Sequence, residues 1–317
     1  MTREKPCLSI GLLVYNGEQF LEESLNSLLA QTLPDFELII SDNGSTDRTE
    51  EICRAYASKE QRIRYYRSQQ NRGAAWNYNR LVELSVGKYF KWAAHDDLCA
   101  PEYLERCIEV LESKPSVVLC YANTTFIDEQ GNFLKNYSED LHLDSPKPHQ
   151  RYQKYHQRFL YKYKCNPLFG VIRSSALGMT RLIGKYEASD IILFAELAML
   201  GEFHEIPEYL FFRRDHPQMS RRANTTAEEL AVWYDPANKG KLQLPMWRLL
   251  REHFLAIHRR KLSWSEKISC YLQLRTFLRW KRRELGKELT KAAKWIWRLQ
   301  LLSYLEPLQG KTEGNKL

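Results

Sequence analysis

Three apolar runs in the first hundred residues each end in polar side chains that can do chemistry. Leu8–Val14 ends in Tyr15-Asn16, 36–40 leads into Ser41-Asp42-Asn43-Gly44, and 88–94 leads into His95-Asp96-Asp97. Grouped carboxylates can hold a hard divalent cation, which needs only one or two of them when phosphate oxygens complete its shell. Singly, a carboxylate accepts a hydrogen bond from a ligand N–H or removes a proton. The same residue types also build turns and helix caps, and Asp42-Asn43-Gly44 alone reads more readily that way. The recurrence of three such clusters, each after an apolar run, favours a site.

Elements must position them. Phe20, Leu21, Leu25, Leu28 and Leu29 recur at helical spacing, which predicts an amphipathic helix over 18–31, ended by Pro34-Asp35. A helix over 46–58 follows, with Ser45 or Thr46 as N-cap and acids in its first turn. Then come a strand over 62–67, a helix over 74–85, the strand 88–94 after Gly87, a helix from Pro101 and a strand over 117–121. This alternation predicts an α/β fold, a mostly parallel sheet flanked by helices. Ligands in such sheets sit beyond the C-terminal ends of the strands, so the three clusters should meet at one sheet edge. No G-x-G-x-x-G is present, which disfavours a dinucleotide site. Residues 128–165 are polar and read as a long surface excursion, 165–173 as a return strand, 190–200 as a helix, and 209–214 as a final strand or extended loop. Two or three helices are expected over 241–300.

In order and near-constant spacing, these pieces resemble family 2 glycosyltransferases of the GT-A fold, over roughly 8–220. The resemblance is carried by Ser9 to Glu18 with Leu25, Ser27, Leu28 and Gln31, and by Ile39 to Asp47, similar to the family's acidic turn. Asn71-Arg72-Gly73, Asn79, Gly87-Lys88-Tyr89, His95-Asp96-Asp97 and Pro101 continue it. It implies a GT-A nucleotide-diphospho-sugar transferase-like domain over 1–225; beyond it, charge, Trp content and helical spacing mark a basic Trp-rich helical C-terminal segment over 226–317. It also implies an inverting enzyme that moves a sugar from a UDP-, GDP- or dTDP-sugar to a hydroxyl of a glycan or lipid-linked acceptor, in cell-surface polysaccharide or glycolipid assembly. The alternative is a non-catalytic nucleotide-sugar-binding module of the same fold. A nucleotidyltransferase is disfavoured, because Tyr15-Asn16-Gly17 is not the Gly-rich basic loop such enzymes favour.

The resemblance also assigns roles. A divalent cation, Mg or Mn, would bridge the donor's diphosphate and neutralise charge as the glycosidic bond breaks. The family's metal motif is Asp-x-Asp; here Ala94-His95-Asp96 lacks the first acid. Asp96 stands where the metal ligand is expected, with Asp97 beside it. His95 would face phosphate or metal, or serve as a hydrogen-bonded spacer. Asp42 would accept from the nucleotide base, with Tyr15 and Asn16 lining the same pocket. Arg72 would contact phosphate or base, or remain a solvated arginine. Ser189-Asp190 corresponds to the family's Glu-Asp pair, making Asp190 the general base; a helix start suits both that role and an N-cap. Arg213 and His216, in a segment similar to the family's Tyr-Arg-x-x-His loop, would close over the diphosphate.

The net charge of +8 divides unevenly. Residues 241–300 hold 16 Lys and Arg against 4 Asp and Glu, while 1–240 carry a net −4. The tail also holds Trp247, Trp264, Trp280, Trp295 and Trp297. Basic residues with Trp and Leu at helical spacing describe an interfacial helix on an anionic membrane. Plain packing or oligomer contact competes with that reading, and nucleic acid is disfavoured. Seven scattered cysteines without a C-x-x-C pair suit reduced thiols in the cytoplasm. The first residues do not read as a signal peptide, and no stretch approaches a spanning helix. The expected location is therefore cytoplasmic, peripheral on the inner membrane face. His142, His149 and His156 recur every seven residues, a spacing poor for zinc. Tyr152, Tyr155, Tyr161 and Tyr163 would shape an acceptor cleft or pack.

Overall fold

The structure, a computed structural model, describes residues 5–161 and 165–309. It opens with strands β1 (Leu8–Val14), β2 (Phe36–Asp42), β3 (Ile63–Arg67) and β4 (Tyr89–Ala94), joined by helices α1 (Leu21–Leu29), α2 (Thr49–Lys59) and α3 (Ala74–Leu84). Next come β5 (Leu98–Cys99), α4 (Tyr103–Ser113), β6 (Val117–Ile127), β7 (Phe133–Tyr137) and α5 (Pro148–Tyr161). Then follow β8 (Val171–Arg173), α6 (Ser174–Leu177), α7 (Ser189–Leu200), β9 (Glu202–Arg214), α8 (Ser220–Ala223) and α9 (Ala227–Tyr234). Three helices end the described chain, α10 (Pro245–Arg259), α11 (Trp264–Trp280) and α12 (Arg282–Gln309).

The sheet order is β3-β2-β1-β4-β8-β6-β9-β5, with β7 added to β6. β1 to β4 are parallel, and every residue of β2 is buried, as expected where helices cover both faces. Register sets the site: Val14 lies opposite Asp42 and Leu13 opposite Ala94. The three polar clusters therefore leave the sheet at one level. Beyond β4 the sheet is mixed rather than mostly parallel. β8 runs antiparallel to β4 and β6, β5 antiparallel to β9, and β9 parallel to β6. β5 and β8 are too short to show any alternation in the sequence, and β9 begins seven residues before the expected 209.

Two local expectations change. Ser45 and Thr46 do not cap α2, whose N-cap is Arg48 without a side-chain bond. Ser45 Oγ accepts from Asn16 N–H, and Thr46 N–H donates to Asn16 Oδ1, so both fasten the two loops together. The stretch 128–165 is not simply surface. α5 turns Arg151, Tyr152, Tyr155 and His156 inward, all buried. Arg151 donates to the carbonyl of Ala198, and the Tyr155 hydroxyl to that of Ile191, which docks α5 on α7. Tyr163 and the side chain of Tyr161 lie outside the described residues.

α7 is buried along nearly its whole length. Its Glu196, fully buried, meets Arg259 at 3.0 Å and Arg260 at 3.4 Å. Two cations of the basic tail thus serve the interior. One apolar core runs from β1 to α11, so α10 and α11 are built into the body. No described helix is long and apolar enough to cross a membrane.

Candidate active site

The loop after β1 is held by side chains. Asn16 adopts φ of 50° and is bonded through both its backbone and its amide to Ser45 and Thr46. Gly17 N–H donates to Thr49 Oγ1 and Glu18 N–H to Asp47 Oδ2. Tyr15 remains 43% exposed. Below it Asp42 is wholly buried. Its Oδ1 accepts from Ser45 N–H at 2.8 Å; its Oδ2 accepts from the Tyr65 hydroxyl at 2.8 Å and faces Arg67 at 3.3 Å. This carboxylate braces the turn, with no surface open to a nucleobase. Asn43 does the neighbouring work: its amide binds Asn71 Oδ1 and the Gly73 carbonyl, and its Oδ1 accepts from Arg72 N–H. Arg72 itself is exposed, with its guanidinium 4.4 Å over Trp76.

The turn after β4 is held from β9. Arg214 is completely buried. It donates to the carbonyls of Asp96, Asp128 and Glu129, meets Glu23 at 2.6 Å, and covers the Phe20 ring at 4.6 Å. Its backbone N–H donates to Asp97 Oδ1 at 3.0 Å. His216 Nε2 lies 2.8 Å from Asp96 Oδ2 while its Nδ1 faces Gln218. His95 instead packs its ring on Gly17, where a Cβ would come within 2.5 Å of it. Burial alone would raise the Asp96 pKa, but the charges of His95 and His216 and the His216 hydrogen bond hold it down at about 2. Asp97 goes the other way, pushed to about 7 by burial and by the charge of Asp96 against the pull of Arg213. Burial lowers His216, and its bonds to Asp96 and Gln218 more than restore it, leaving it raised.

Asp190 sits in the first turn of α7, behind Ala188 at φ of 61°. It lines a cleft of about 770 Å³ together with Tyr78, Cys165 and Arg213. Cys165 Sγ contacts Asp190 Oδ2, and Arg213 donates to Asn166 Oδ1 at 2.7 Å. Burial first, then the charges of Asp190 and Asp96, push the Tyr78 hydroxyl up; Asp97 adds to this and Arg213 opposes it. The far wall of the cleft comes from the C-terminal helices, with Trp233, Met246, Leu249 and Phe277.

Of the expected residues, Asp190 and Arg213 line the cleft, while Asp96, Asp97 and His216 cluster where the ends of β4 and β9 meet. Asn16 and Asp42 lie behind the loops, Tyr15 and Arg72 on the open edge, and His95 against Gly17. Tyr78, Cys165, Asn166 and Arg214 were missed. Tyr78 and Arg214 stand inside a helical and a strand pattern, where only long-range contacts show their use.

Among the described residues no cage of three or more His, Cys, Asp or Glu is formed. The acidic pair nonetheless fits a divalent cation. Two neighbouring carboxylates repel one another, Asp96 keeps 17% of its side chain open, and His216 stands beside it. Such a set suits a cation that draws its remaining ligands from a bound phosphate.

The model of glycosyl transferase family 2 matches residues 9–186, more than half of the chain. An uncharacterized glycosyltransferase of Methanocaldococcus jannaschii is 33% identical over 139 residues, 43% of this chain and 48% of its own length. One of Rickettsia typhi is 32% identical over 198 residues, 62% of this chain and 54% of its own length. Chondroitin synthase of Escherichia coli is 32% identical over 131 residues, 41% of this chain and 19% of its own length. The matches therefore span about half or less of these relatives. S. aureus TarS 1–349 in complex with UDP-GlcNAc superposes with a TM-score of 0.62 at 17% identity, covering 86% of this chain and 72% of that one. Mannosyltransferase PcManGT of Pyrobaculum calidifontis, in complex with GDP-Man and Mn²⁺, gives 0.50 at 15%, covering 99% and 89%. These structures share the mixed sheet flanked by helices, the GT-A arrangement. Sequence motifs, register and family match agree: the chain belongs to glycosyltransferase family 2.

Proposed function

We propose that the chain is an inverting glycosyltransferase that moves a sugar from a nucleotide-diphosphate donor to a hydroxyl of a glycan or lipid-linked acceptor, in cell-surface polysaccharide or glycolipid assembly. The observation that carries this reading is the placement of Asp190 and Arg213 in one cleft, with His216, three residues beyond Arg213, bonded to Asp96. The nucleoside would lie over Tyr15 and Arg72, on loops braced by Asn16, Asp42 and Asn43. Arg213 and His216 would hold the diphosphate. Asp96, with His216 and Asp97 beside it, would hold Mg²⁺ or Mn²⁺, which when bound supplies positive charge to the leaving diphosphate. Asp190 would leave Cys165 and take the acceptor's proton as its oxygen attacks the anomeric carbon. The bond from that carbon to the diphosphate breaks on the opposite side, and the nucleotide departs with the electron pair. A binding module would have no use for a carboxylate at that place.

The test begins with a screen of UDP-, GDP- and dTDP-sugars for donor hydrolysis, with and without Mn²⁺. With the donor so found, Asp190→Asn should lower transfer by roughly a thousandfold, the scale of a lost general base. Calorimetric binding of the nucleotide diphosphate should change little. Ordinary turnover by that variant would remove Asp190 from the role.

A further inference from the structure

The outer face of α11 is unpartnered among the described residues. Trp264, Ile268 and Leu272 are 80%, 55% and 48% exposed. Arg275 and Arg279, also exposed, continue the same line. The steps of four, four, three and four place all five on one side of a helix. The buried residues Cys270, Leu274 and Phe277 occupy the other side. Phe254 of α10, half exposed and stacked on Tyr271 at 5.0 Å, widens the apolar strip.

The charges divide in the same way. Arg259 and Arg260 are committed to buried Glu196, Arg248 and Arg251 to Glu252, and Lys281 to Glu284. Arg275 and Arg279 have no carboxylate partner among the described residues, nor do Lys261, Arg282 and Arg283 beside them. Glu266, the acid of α11, is taken by the Ser263 capping box and faces His149. The outer stripe itself carries no acid.

We infer that this face of α11 docks on an anionic lipid surface. Trp, Ile and Leu would enter the headgroup boundary while the guanidinium groups take lipid phosphates. A symmetric pairing with a second copy is disfavoured, because it would bring two basic sets together with no carboxylate between them. The docking face is therefore narrower than the charge count of the tail suggests: α10 belongs to the core and α11 carries the contact. On its inner side the same helix sends Phe277 to the cleft that holds Asp190, so the surface would lie behind one wall of that cleft.

The test is flotation of the full chain with phosphatidylcholine vesicles, with and without phosphatidylglycerol. The chain should float with the anionic vesicles and stay behind with the neutral ones. About 1 M NaCl, which shortens electrostatic reach to ~3 Å, should weaken the association. Ile268→Glu with Leu272→Glu, and separately Arg275→Glu with Arg279→Glu, should each lower the bound fraction at least roughly tenfold. All four positions are exposed, so circular dichroism should show unchanged folding. No flotation of the unaltered chain, equal flotation of the variants, or equal binding to neutral vesicles would overturn the inference. So would light scattering that shows a dimer which the same variants dissociate.

Discussion

His216 and Asp96, 120 positions apart in sequence, meet with Nε2 of one 2.8 Å from Oδ2 of the other. The end of β9 thereby completes an acidic site that the end of β4 starts, in a chain whose first motif acid is replaced by Ala94. Asp96, the more open carboxylate of the pair, then carries most of the cation reading. Asp96→Ala should bring UDP or GDP affinity in MnCl₂ down to its value in EDTA, at least roughly tenfold below the unaltered chain, since the cation bridge is the lost contact. His216→Ala should fall between the two. Calorimetry in the two buffers reads this directly, and equal metal dependence of Asp96→Ala and the unaltered chain would take Asp96 out of the cation site.

Much of this site was legible, and the boundary is physical. Turn residues after β-rich runs are local signals, so Asn16, Asp42 and Asp96 could be placed at strand ends before any contact was known. Their orientation was not local. Whether Asp42 faces a ligand or Tyr65 depends on β3 lying beside β2, a pairing that the residues near Asp42 do not encode. α5 misled for a related reason: Arg151, Tyr152 and His156 look like surface residues until α7, α10 and α11 close over them. Arg214 was passed over because one arginine in Phe212-Arg213-Arg214-Asp215-His216 looks like its neighbour, and only the fold sends one into the cleft and the other into the interior.

Arg214 supports a prediction of its own. Arg214→Met would leave the carbonyls of Asp96, Asp128 and Glu129 without their guanidinium donor and remove the ion pair with Glu23, while the backbone bond to Asp97 stays. The cost should be about 3 kcal/mol, of the order of one unpaired buried acceptor each. Arg214→Lys should recover only part of it, because an ammonium cannot reach three directions as a planar fork does. Urea unfolding measures both, and a change below about 1 kcal/mol for Arg214→Met would show that water replaces the bonds.

Gly73 and Gly131 share a φ of 85° but differ in surroundings. With ψ of 159°, Gly73 lies in a region that is essentially glycine-only, and a Cβ there would stand 2.5 Å from the Tyr234 carbonyl. Around Gly131 a Cβ meets nothing within 4 Å. Gly131→Ala should therefore cost about 1 kcal/mol from backbone strain alone. Gly73→Ala should cost about 3 kcal/mol or more and separate α9 from the Asn71-Arg72-Gly73 loop. Equal melting temperatures for the two variants would mean that Tyr234 yields without penalty.

The interior histidines set the acid limit of the fold. His156 is fully buried, and neither ring nitrogen has a hydrogen-bond partner among the described residues. Burial lowers its pKa to about 4, and burial with the neighbouring His156 lowers His253 well below its ordinary value. Both are neutral in the folded chain, while in the unfolded chain each takes up a proton near pH ~6.5. Their contribution to stability is complete above that pH and is lost as pH falls toward the folded-state value. Between pH 7 and pH 5, His156 alone should cost about 2 kcal/mol, from the proton that only the unfolded chain binds. His156→Phe keeps an aromatic ring beside Tyr152 and Phe277, whose rings lie 5.8 and 6.1 Å from that of His156, and removes the titration. Urea unfolding at the two pH values should show the variant losing about 2 kcal/mol less than the unaltered chain. An identical loss in both would take His156 out of the acid sensitivity and leave it to His253 and the carboxylates.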